Sequence, residues 1–341
     1  MARPTRTAAI PEPPEGGAGP SPLFAQVIAE QRGREPFVPL DRYIPTGFAC
    51  RLEALMEHAY ATGSWFLFTA FPGDGKSTAL EHFEGAHAPS REPGGDGSST
   101  RIVPVLSTRV SSGVQSTDRL VGALADELGA VPRIGPSRTR AWLVGAIVRA
   151  KVRMIVIDDA HELRLGQLSY LRELTDQLKR RGVRPSVVLL AAVNSKEPRS
   201  CDPWRLIVKD PLVAEQFRRR LNGPDPVVRV AGLSEAEVGR VLRTWELQYA
   251  PAFPELALAR WAGSLFTWLT DKRNDTAGAG RARMKQLAEV VHAALGLAWA
   301  EERPGNAHDG MDLYDAALRL TVRGDASPVF DVDLDELRRA S

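Results

Sequence analysis

Up to about residue 231, the chain alternates between two patterns of apolar residues. Short continuous apolar runs, bounded by Gly, Pro or charged residues, are typical of strands buried on both faces of a parallel sheet. Between them, apolar residues recur every three or four positions, which is typical of amphipathic helices. This alternation predicts an α/β fold, a doubly wound five-stranded parallel sheet. The predicted strands are 65–70, 101–106, 154–157, 186–193 and 227–230.

After Gly232 the strand pattern stops and only helical patterns remain, at 234–248, 254–270 and 280–298. Ser234 and Glu237 have the spacing of a capping box, which marks a helix start. The chain is therefore expected to continue into a small all-helical lid domain. The predicted organisation is a disordered, Pro/Gly/Ala-rich arm at 1–22, an α/β nucleotide-binding core at 23–231, the lid at 232–300 and an appendage at 301–341.

The most informative segment, 65–78, reads WFLFTAFPGDGKST. An apolar run enters a Pro/Gly turn and leaves it through Gly-Lys-Ser into a helical pattern, as in a phosphate-binding P-loop. Small residues let backbone N–H groups surround an anion, and the helix adds the positive end of its dipole. A structural glycine-rich turn is the alternative. The residues expected to bind the nucleotide are Pro72, Gly73, Asp74, Gly75, Lys76, Ser77 and Thr78.

Within this segment, Lys76 is expected to reach the β- and γ-phosphates of ATP, and the Ser77 hydroxyl to ligate Mg²⁺. One position departs from the usual pattern, because Ala70 replaces its first glycine. Alanine is acceptable there if its φ is negative.

The predicted third strand ends in two acids, Asp158 and Asp159. A P-loop ATPase needs a carboxylate at the end of a neighbouring strand to hold Mg²⁺, and Asp158 fits that role. Asp159 lies where many ATPases place a glutamate that activates the attacking water. Asp is shorter by one methylene, so we expect slow hydrolysis; Glu162 is a second candidate for that role. Two solvated acids at a strand end are the alternative.

Other polar residues are placed to complete such a site. Asn194 follows the predicted fourth strand, where it would contact the γ-phosphate or the attacking water, or simply end the strand. Arg219 and Arg220 precede the fifth strand and are candidates for stabilising phosphoryl transfer in a neighbouring subunit, or form a solvated basic face. Arg281 and Arg283 open the last lid helix and are candidates for contacting the nucleotide.

Residues 179–181 with Arg184 form a basic cluster at the end of a predicted helix. Two interpretations stay open. The cluster would contact a nucleic-acid phosphate backbone, or its cations would stabilise the negative end of the helix dipole.

Composition narrows the class of protein only a little. Of 341 residues, 44 are Lys or Arg and 42 are Asp or Glu, a net charge of +2. Overall charge therefore gives no argument for nucleic-acid binding. The two cysteines, Cys50 and Cys201, cannot form a disulfide framework. No apolar run is long enough to cross a membrane, and the N-terminus lacks the apolar core of a signal peptide. We expect a soluble, cytoplasmic protein without membrane contact.

Together, the P-loop, the acidic strand end, Asn194, the arginines before strand five and the lid arginines resemble the AAA+ ATPases over about residues 40–300. The runs IVIDDAHEL and GRARMKQLAEVVHAAL make the chain look most like the TniB/TnsC family of bacterial transposition regulators, with initiator and clamp-loader ATPases as cousins. Because Ala70 and Asp159 depart from the usual AAA+ motifs, we expect firm ATP binding with slow hydrolysis.

The resemblance implies an ATP- and Mg²⁺-dependent homo-oligomer, a ring or a filament, on double-stranded DNA. It also implies partners, a transposase that is recruited and activated and target-selector proteins. Nucleotide would lie between subunits, with an arginine of one subunit completing its neighbour's site. Three alternatives stay open: a signalling or defence ATPase acting on protein partners, an initiator- or helicase-loader-like AAA+ ATPase, and a P-loop kinase of small molecules.

Overall fold

The computed structural model describes residues 43–88, 102–110, 116–129, 135–193, 202–209, 215–217, 219–221, 227–250, 256–272, 274–275 and 278–301. The predicted arm at 1–22, nearly all of the predicted appendage, and Asn194 lie outside the described residues.

Five parallel strands form one sheet in the order β2-β3-β4-β1-β5. The predicted doubly wound α/β core is confirmed. The strands are β1 (Trp65–Ala70), β2 (Val105–Arg109), β3 (Met154–Asp158), β4 (Ser186–Ala192) and β5 (Val227–Arg229).

The predicted bounds of the second strand, 101–106, were placed too early in the chain. β2 begins one residue after Pro104, whose carbonyl accepts the N–H groups of Arg153 and Met154. It then continues to Arg109, pairing with β3 through Ser107 and Thr108. The sheet therefore extends over the polar residues 107–109, which lie in its edge strand.

Nine α-helices are described alongside the sheet. Thr46 caps the first, accepting the Ala49 N–H at 3.1 Å, and Gly63 ends it with a φ of 65°.

The predicted helix at 254–270 is instead a 3₁₀ turn at Leu258–Trp261 followed by a short helix, and the sixth helix was not predicted. The helices are α1 (Gly47–Thr62), α2 (Lys76–His87), α3 (Thr117–Glu127), α4 (Pro136–Arg149), α5 (Leu165–Arg180), α6 (Asp202–Lys209), α7 (Glu235–Tyr249), α8 (Ala262–Leu269) and α9 (Met284–Glu301).

Helices cover both faces of the sheet, because successive strand residues point in opposite directions. Phe66 and Phe68 of β1 belong to a core shared with α1 and α2. Trp65 and Leu67 belong to a second core with α3, α4, α5 and α6. The continuous apolar runs of the sequence therefore supply two cores at once.

The last helices have a third core of their own, which includes Val238, Leu242, Leu287 and Val291. The predicted capping box is present, since the Ser234 N–H and hydroxyl both donate to the Glu237 carboxylate at 2.7 Å. In the described part of the chain, no helix has the length and apolar character needed to cross a membrane.

Candidate nucleotide-binding site

The P-loop leaves the carboxyl end of β1, at the same edge of the sheet where β3 ends in Asp158. Ala70 is the last residue of β1, pairs with Ala192 and is 1% exposed. Its φ is not positive. Alanine therefore fits at this position as extended backbone, and its methyl group is part of the core.

The turn itself depends on two glycines. Gly73 and Gly75 have φ values of 84° and 94°, which β-carbons disfavour. At Gly73 a second constraint applies, because a methyl group there would lie 2.9 Å from Cβ of Lys285 in α9. Gly73 thus permits both the loop's curvature and the close approach of the last helix.

Asp74 holds this turn from within rather than facing solvent. It is 3% exposed, and its Oδ2 accepts the Phe71 N–H at 3.0 Å. Burial raises the pKa of Asp74 to about 6, while the Phe71 hydrogen bond and the nearby Lys76, Arg283 and Arg229 oppose that rise. Asp74 therefore shapes the loop in this structure, and its contact with nucleotide stays a prediction.

Lys76, Ser77 and Asp158 meet at the start of α2. The Ser77 hydroxyl donates to Asp158 Oδ2 at 2.6 Å, although the residues are 81 positions apart. Lys76 is 7% exposed, and its ammonium donates to the Phe71 carbonyl at 3.3 Å. Burial lowers the pKa of Lys76, and the carboxylates of Asp158, Asp74 and Asp159 counteract this. A buried cation aimed into the loop is the group that an anionic phosphate needs.

A residue that the sequence did not single out, Arg109, contacts the acidic pair. From the carboxyl end of β2, its Nη2 and Nε donate to Asp158 Oδ2 at 3.1 and 3.3 Å. Its Nε is also 3.6 Å from Asp159 Oδ2. The bond to Asp158 raises the pKa of Arg109. The sequence prediction missed Arg109 because it ended the second strand at residue 106. Had the strand been extended to Arg109, a polar residue at the carboxyl end of a strand would have indicated a site residue.

Asp159 begins a short turn and carries a positive φ of 54°. Its own N–H donates to Asp158 Oδ1 at 2.9 Å, which holds the two acids in a fixed relation. His161 Nδ1 accepts the Ala192 N–H at 3.3 Å and is 4.0 Å from Asp159. With Nδ1 an acceptor, the imidazole proton is on Nε2, which is 3.8 Å from Glu162.

A cavity of about 630 Å³ opens beside the P-loop. All seven predicted P-loop residues, 72–78, line it, together with Asp159 and Glu162. The sequence did not identify its other side, which is largely apolar or aromatic. That side includes Tyr43, Ile44, Phe48, Trp245, Met284 and His292.

The last helix contacts the P-loop directly. The Lys285 N–H donates to the Gly73 carbonyl at 2.9 Å. The Arg283 guanidinium lies 5.3 Å from the centre of the Phe71 ring, and Arg229 of β5 lies 4.8 Å from that centre. A cation above an aromatic ring is attracted to it, so Phe71 links the start of α9, the P-loop and β5.

The remaining predicted arginines do not line the cavity. The Arg220 carbonyl accepts the Trp65 N–H, which places Arg220 at the amino edge of the sheet, and its guanidinium is paired with Asp176 at 2.8 Å. Arg219 is exposed and bonds Glu215. Neither reaches this subunit's own P-loop. Arg281 lies near Glu237 and Gly232.

The donor set suits a magnesium ion. Ser77 Oγ and Asp158 Oδ2 are both oxygens, the ligand type that Mg²⁺ prefers, and they already converge beside the phosphate-binding turn. Arg109 supplies positive charge to the same carboxylate. The residues present therefore fit the ion, provided that Arg109 gives up its bond to Asp158.

Residues 61–194 match the protein family described as AAA domain. Fold and site together define the class: an AAA+ P-loop fold, in which a five-stranded parallel sheet carries the nucleotide loop at its carboxyl edge.

Among solved structures, the chain is similar to the Aeropyrum pernix ORC2 protein in its ADPNP–ADP complexes. The identity is 15% and the TM-score 0.55, over 92% of this chain and 73% of that one. The ADP form of that protein gives 14% and 0.54, over 88% and 72%. Domain III of the Thermotoga maritima replication initiation protein DnaA gives 17% and 0.44, over 86% and 96%. No curated protein sequence matches the chain.

Proposed function

We propose that this protein binds and slowly hydrolyses ATP at the carboxyl edge of its sheet. The observation that carries the proposal is the convergence of buried Lys76, Ser77 and Asp158 at one turn, with the Ser77–Asp158 hydrogen bond at 2.6 Å. A structural glycine-rich turn would need neither a buried lysine nor a carboxylate from a strand 81 residues away.

Different side chains of the site perform different steps of phosphoryl transfer. Lys76 and the N–H groups of the P-loop hold the phosphates, and Ser77 with Asp158 holds Mg²⁺, which neutralises charge on the phosphates when bound. Asp159, with Glu162 as its alternative, orients and deprotonates the attacking water. The apolar side of the cavity accommodates the base and excludes water.

The finer proposal is that ATP binding drives assembly of the protein on double-stranded DNA to regulate transposition, by recruiting a transposase to a target. It is supported by the order of motifs and by the lid run GRARMKQLAEVVHAAL. Arg219 and Arg220, remote from their own P-loop, are then candidates for a neighbouring subunit's site, which they would reach by releasing Glu215 and Asp176. An initiator-like ATPase is the second candidate, favoured by the fold shared with the ORC2 protein.

Electron microscopy with a non-hydrolysable ATP analogue tests the assembly, with and without duplex DNA. Rings or filaments that need the analogue and follow the duplex support the proposal, and Lys76→Ala should abolish them. Particles that stay monomeric under every condition would contradict it. Adding the candidate transposase, or instead a replicative helicase, to the assembled form then separates the two functions by co-sedimentation.

A further inference from the structure

The amino edge of the sheet, opposite the nucleotide cavity, carries a strongly basic surface. It is built from the end of α4 with the turn into β3, and the end of α5 with the turn into β4. We call it the amino-edge basic surface. Its seven exposed cations are Arg149, Lys151, Arg153, Lys179, Arg180, Arg181 and Arg184.

The two segments form one continuous surface. The Ser186 N–H donates to the Arg153 carbonyl at 2.9 Å, where β3 and β4 begin side by side. A methyl group placed on Gly145 would lie 3.2 Å from a guanidinium nitrogen of Arg149 and 3.9 Å from one of Arg181. A cavity of about 490 Å³ lies between the segments, lined by Tyr60, Lys151, Arg153 and Arg184 among others. The cations therefore face a common space.

Within the part of the chain that the structure describes, this positive charge is not compensated locally. Residues 145–153 and 177–185 contain no Asp or Glu. Among the described residues, none of the seven cations forms an ion pair. The acid that precedes the second segment, Asp176, is already paired with Arg220. Arg153 instead lies 4.4 Å from the centre of the Tyr60 ring, which holds its guanidinium in place.

Helix dipoles do not account for this charge. The carboxyl end of a helix carries roughly half of a negative charge. Two helices, α4 and α5, end at this surface, so they offset about one of the seven positive charges. Most of the charge is left to attract a ligand from outside the chain.

The chemistry of the surface favours a phosphodiester backbone over an acidic protein. Five of the seven cations are arginines, whose planar fork matches phosphate oxygens. Protein interfaces need an apolar centre. Among the described residues the exposed large apolar side chains are Ile102, Val208 and Leu247; Ile102 adjoins Val103, whose N–H bonds the Ala150 carbonyl at this edge.

We propose that the amino-edge basic surface binds the phosphate backbone of duplex DNA. The inference rests on the proposed function, in which the protein assembles on DNA, and assigns the surface that does so. Because β3 separates this edge from the P-loop by about 17 Å, DNA and ATP bind at the same time. ATP then affects DNA binding through assembly rather than by competition.

Fluorescence anisotropy tests the assignment. It measures binding to a labelled duplex of about 30 base pairs in the presence of an ATP analogue. The test protein carries Lys151→Gln, Arg181→Gln and Arg184→Gln. The matched control carries Arg51→Gln, Arg240→Gln and Arg243→Gln, which removes the same charge from exposed sites elsewhere. Binding of a fluorescent ATP analogue should be the same in all three proteins, showing that the fold is intact.

We expect the test protein to bind DNA about tenfold to a hundredfold more weakly near 150 mM salt. The slope of log affinity against log salt should fall by about 2 to 3, since each phosphate contact contributes about 0.9. Equal DNA binding by the test protein and the unmodified protein would overturn the surface assignment alone, and so would an equal loss in the matched control. Absence of duplex binding by the unmodified protein, even at low salt, would instead overturn the proposed action on DNA.

Discussion

At the scale of single residues, the P-loop of this protein contains an acid that faces inward. Asp74 is buried, it accepts the Phe71 N–H, and its other oxygen approaches the backbone at Gly232. Asp74 shapes the loop that binds phosphate, and its ionisation opposes folding because burial raises its pKa to about 6. The loop should therefore respond to pH independently of nucleotide.

Asp74→Asn should reduce the pH dependence of stability. Asp74 has its ordinary pKa of 3.8 when unfolded and about 6 when folded. Its stabilising effect is complete below 3.8 and is lost as the pH rises through 6. Between pH 5 and pH 8, we expect the variant to gain about 1 kcal/mol relative to the unmodified protein.

Thermal unfolding at both pH values, without nucleotide, measures this gain, and Asp118→Asn is the control at an exposed acid. A variant that shows the same pH dependence as the unmodified protein would remove Asp74 from this role.

Also at the scale of single residues, Arg109 is expected to compete with Mg²⁺ for Asp158. Its guanidinium bonds the same Asp158 oxygen that accepts the Ser77 hydroxyl, so Mg²⁺ binding has to displace it. Arg109→Ala should lower the Mg²⁺ concentration needed for half-maximal binding of a fluorescent ATP analogue by about threefold to tenfold. Arg109 is 59% exposed, so solvent limits the effect to about 1 kcal/mol.

A magnesium titration of analogue binding compares this variant with Arg51→Ala, a control at an exposed arginine of α1. If Arg109→Ala raises the magnesium requirement, Arg109 assists phosphate binding rather than competing with the ion.

At the scale of elements, α9 and the P-loop are joined through their backbones and through Phe71. The Lys285 N–H bonds the Gly73 carbonyl, and the Arg283 guanidinium lies over the Phe71 ring. Movement of α9 is therefore coupled to the shape of the phosphate-binding turn.

Arg283→Ala should loosen this contact and weaken nucleotide binding by about threefold to tenfold, the size of one cation–π interaction. Arg281→Ala is the matched variant, because Arg281 is two residues away and does not lie on the ring. Stopped-flow dissociation of a fluorescent ATP analogue distinguishes them, with faster release expected for Arg283→Ala alone. Equal acceleration in both variants would indicate that both arginines contact nucleotide directly.

Elements with strong local signals were predictable from the sequence. The P-loop glycines, the Ser234 capping box and the buried runs of β1, β3 and β4 each specify their conformation within a few residues. The end of β2 was not predictable in this way, because pairing with β3 extends the strand over polar residues.

Contacts between distant parts of the chain, like the pairing of β2 with β3, also explain which features of the site the sequence could not predict. The bond from Arg109 to Asp158 joins residues 49 positions apart, and the Lys285–Gly73 bond joins α9 to the P-loop. Such contacts depend on the packing of whole elements. The aromatic side of the cavity, with Tyr43 and Trp245, comes from opposite ends of the described chain for this reason.

At the scale of the whole molecule, a nearly neutral chain distributes its charges differently at the two edges of one sheet. The carboxyl edge carries acids and cations together, among them Asp158, Asp159, Lys76 and Arg109. The amino edge carries the amino-edge basic surface. The net charge of +2 conceals this division. In a parallel sheet all strands begin at one edge and end at the other, so the two edges carry different turns, and nucleotide and DNA are proposed to occupy separate edges.

The P-loop at the carboxyl edge is proposed to bind ATP with Mg²⁺. Equilibrium titration with a fluorescent ATP analogue and Mg²⁺ tests it most directly, comparing the unmodified protein with Lys76→Ala and with Lys151→Ala, a control at the other edge. Lys76→Ala should bind about tenfold more weakly or worse, since it removes a buried cation from the phosphates, and Lys151→Ala should bind normally. Equal binding by Lys76→Ala, or no binding by the unmodified protein, would contradict the account.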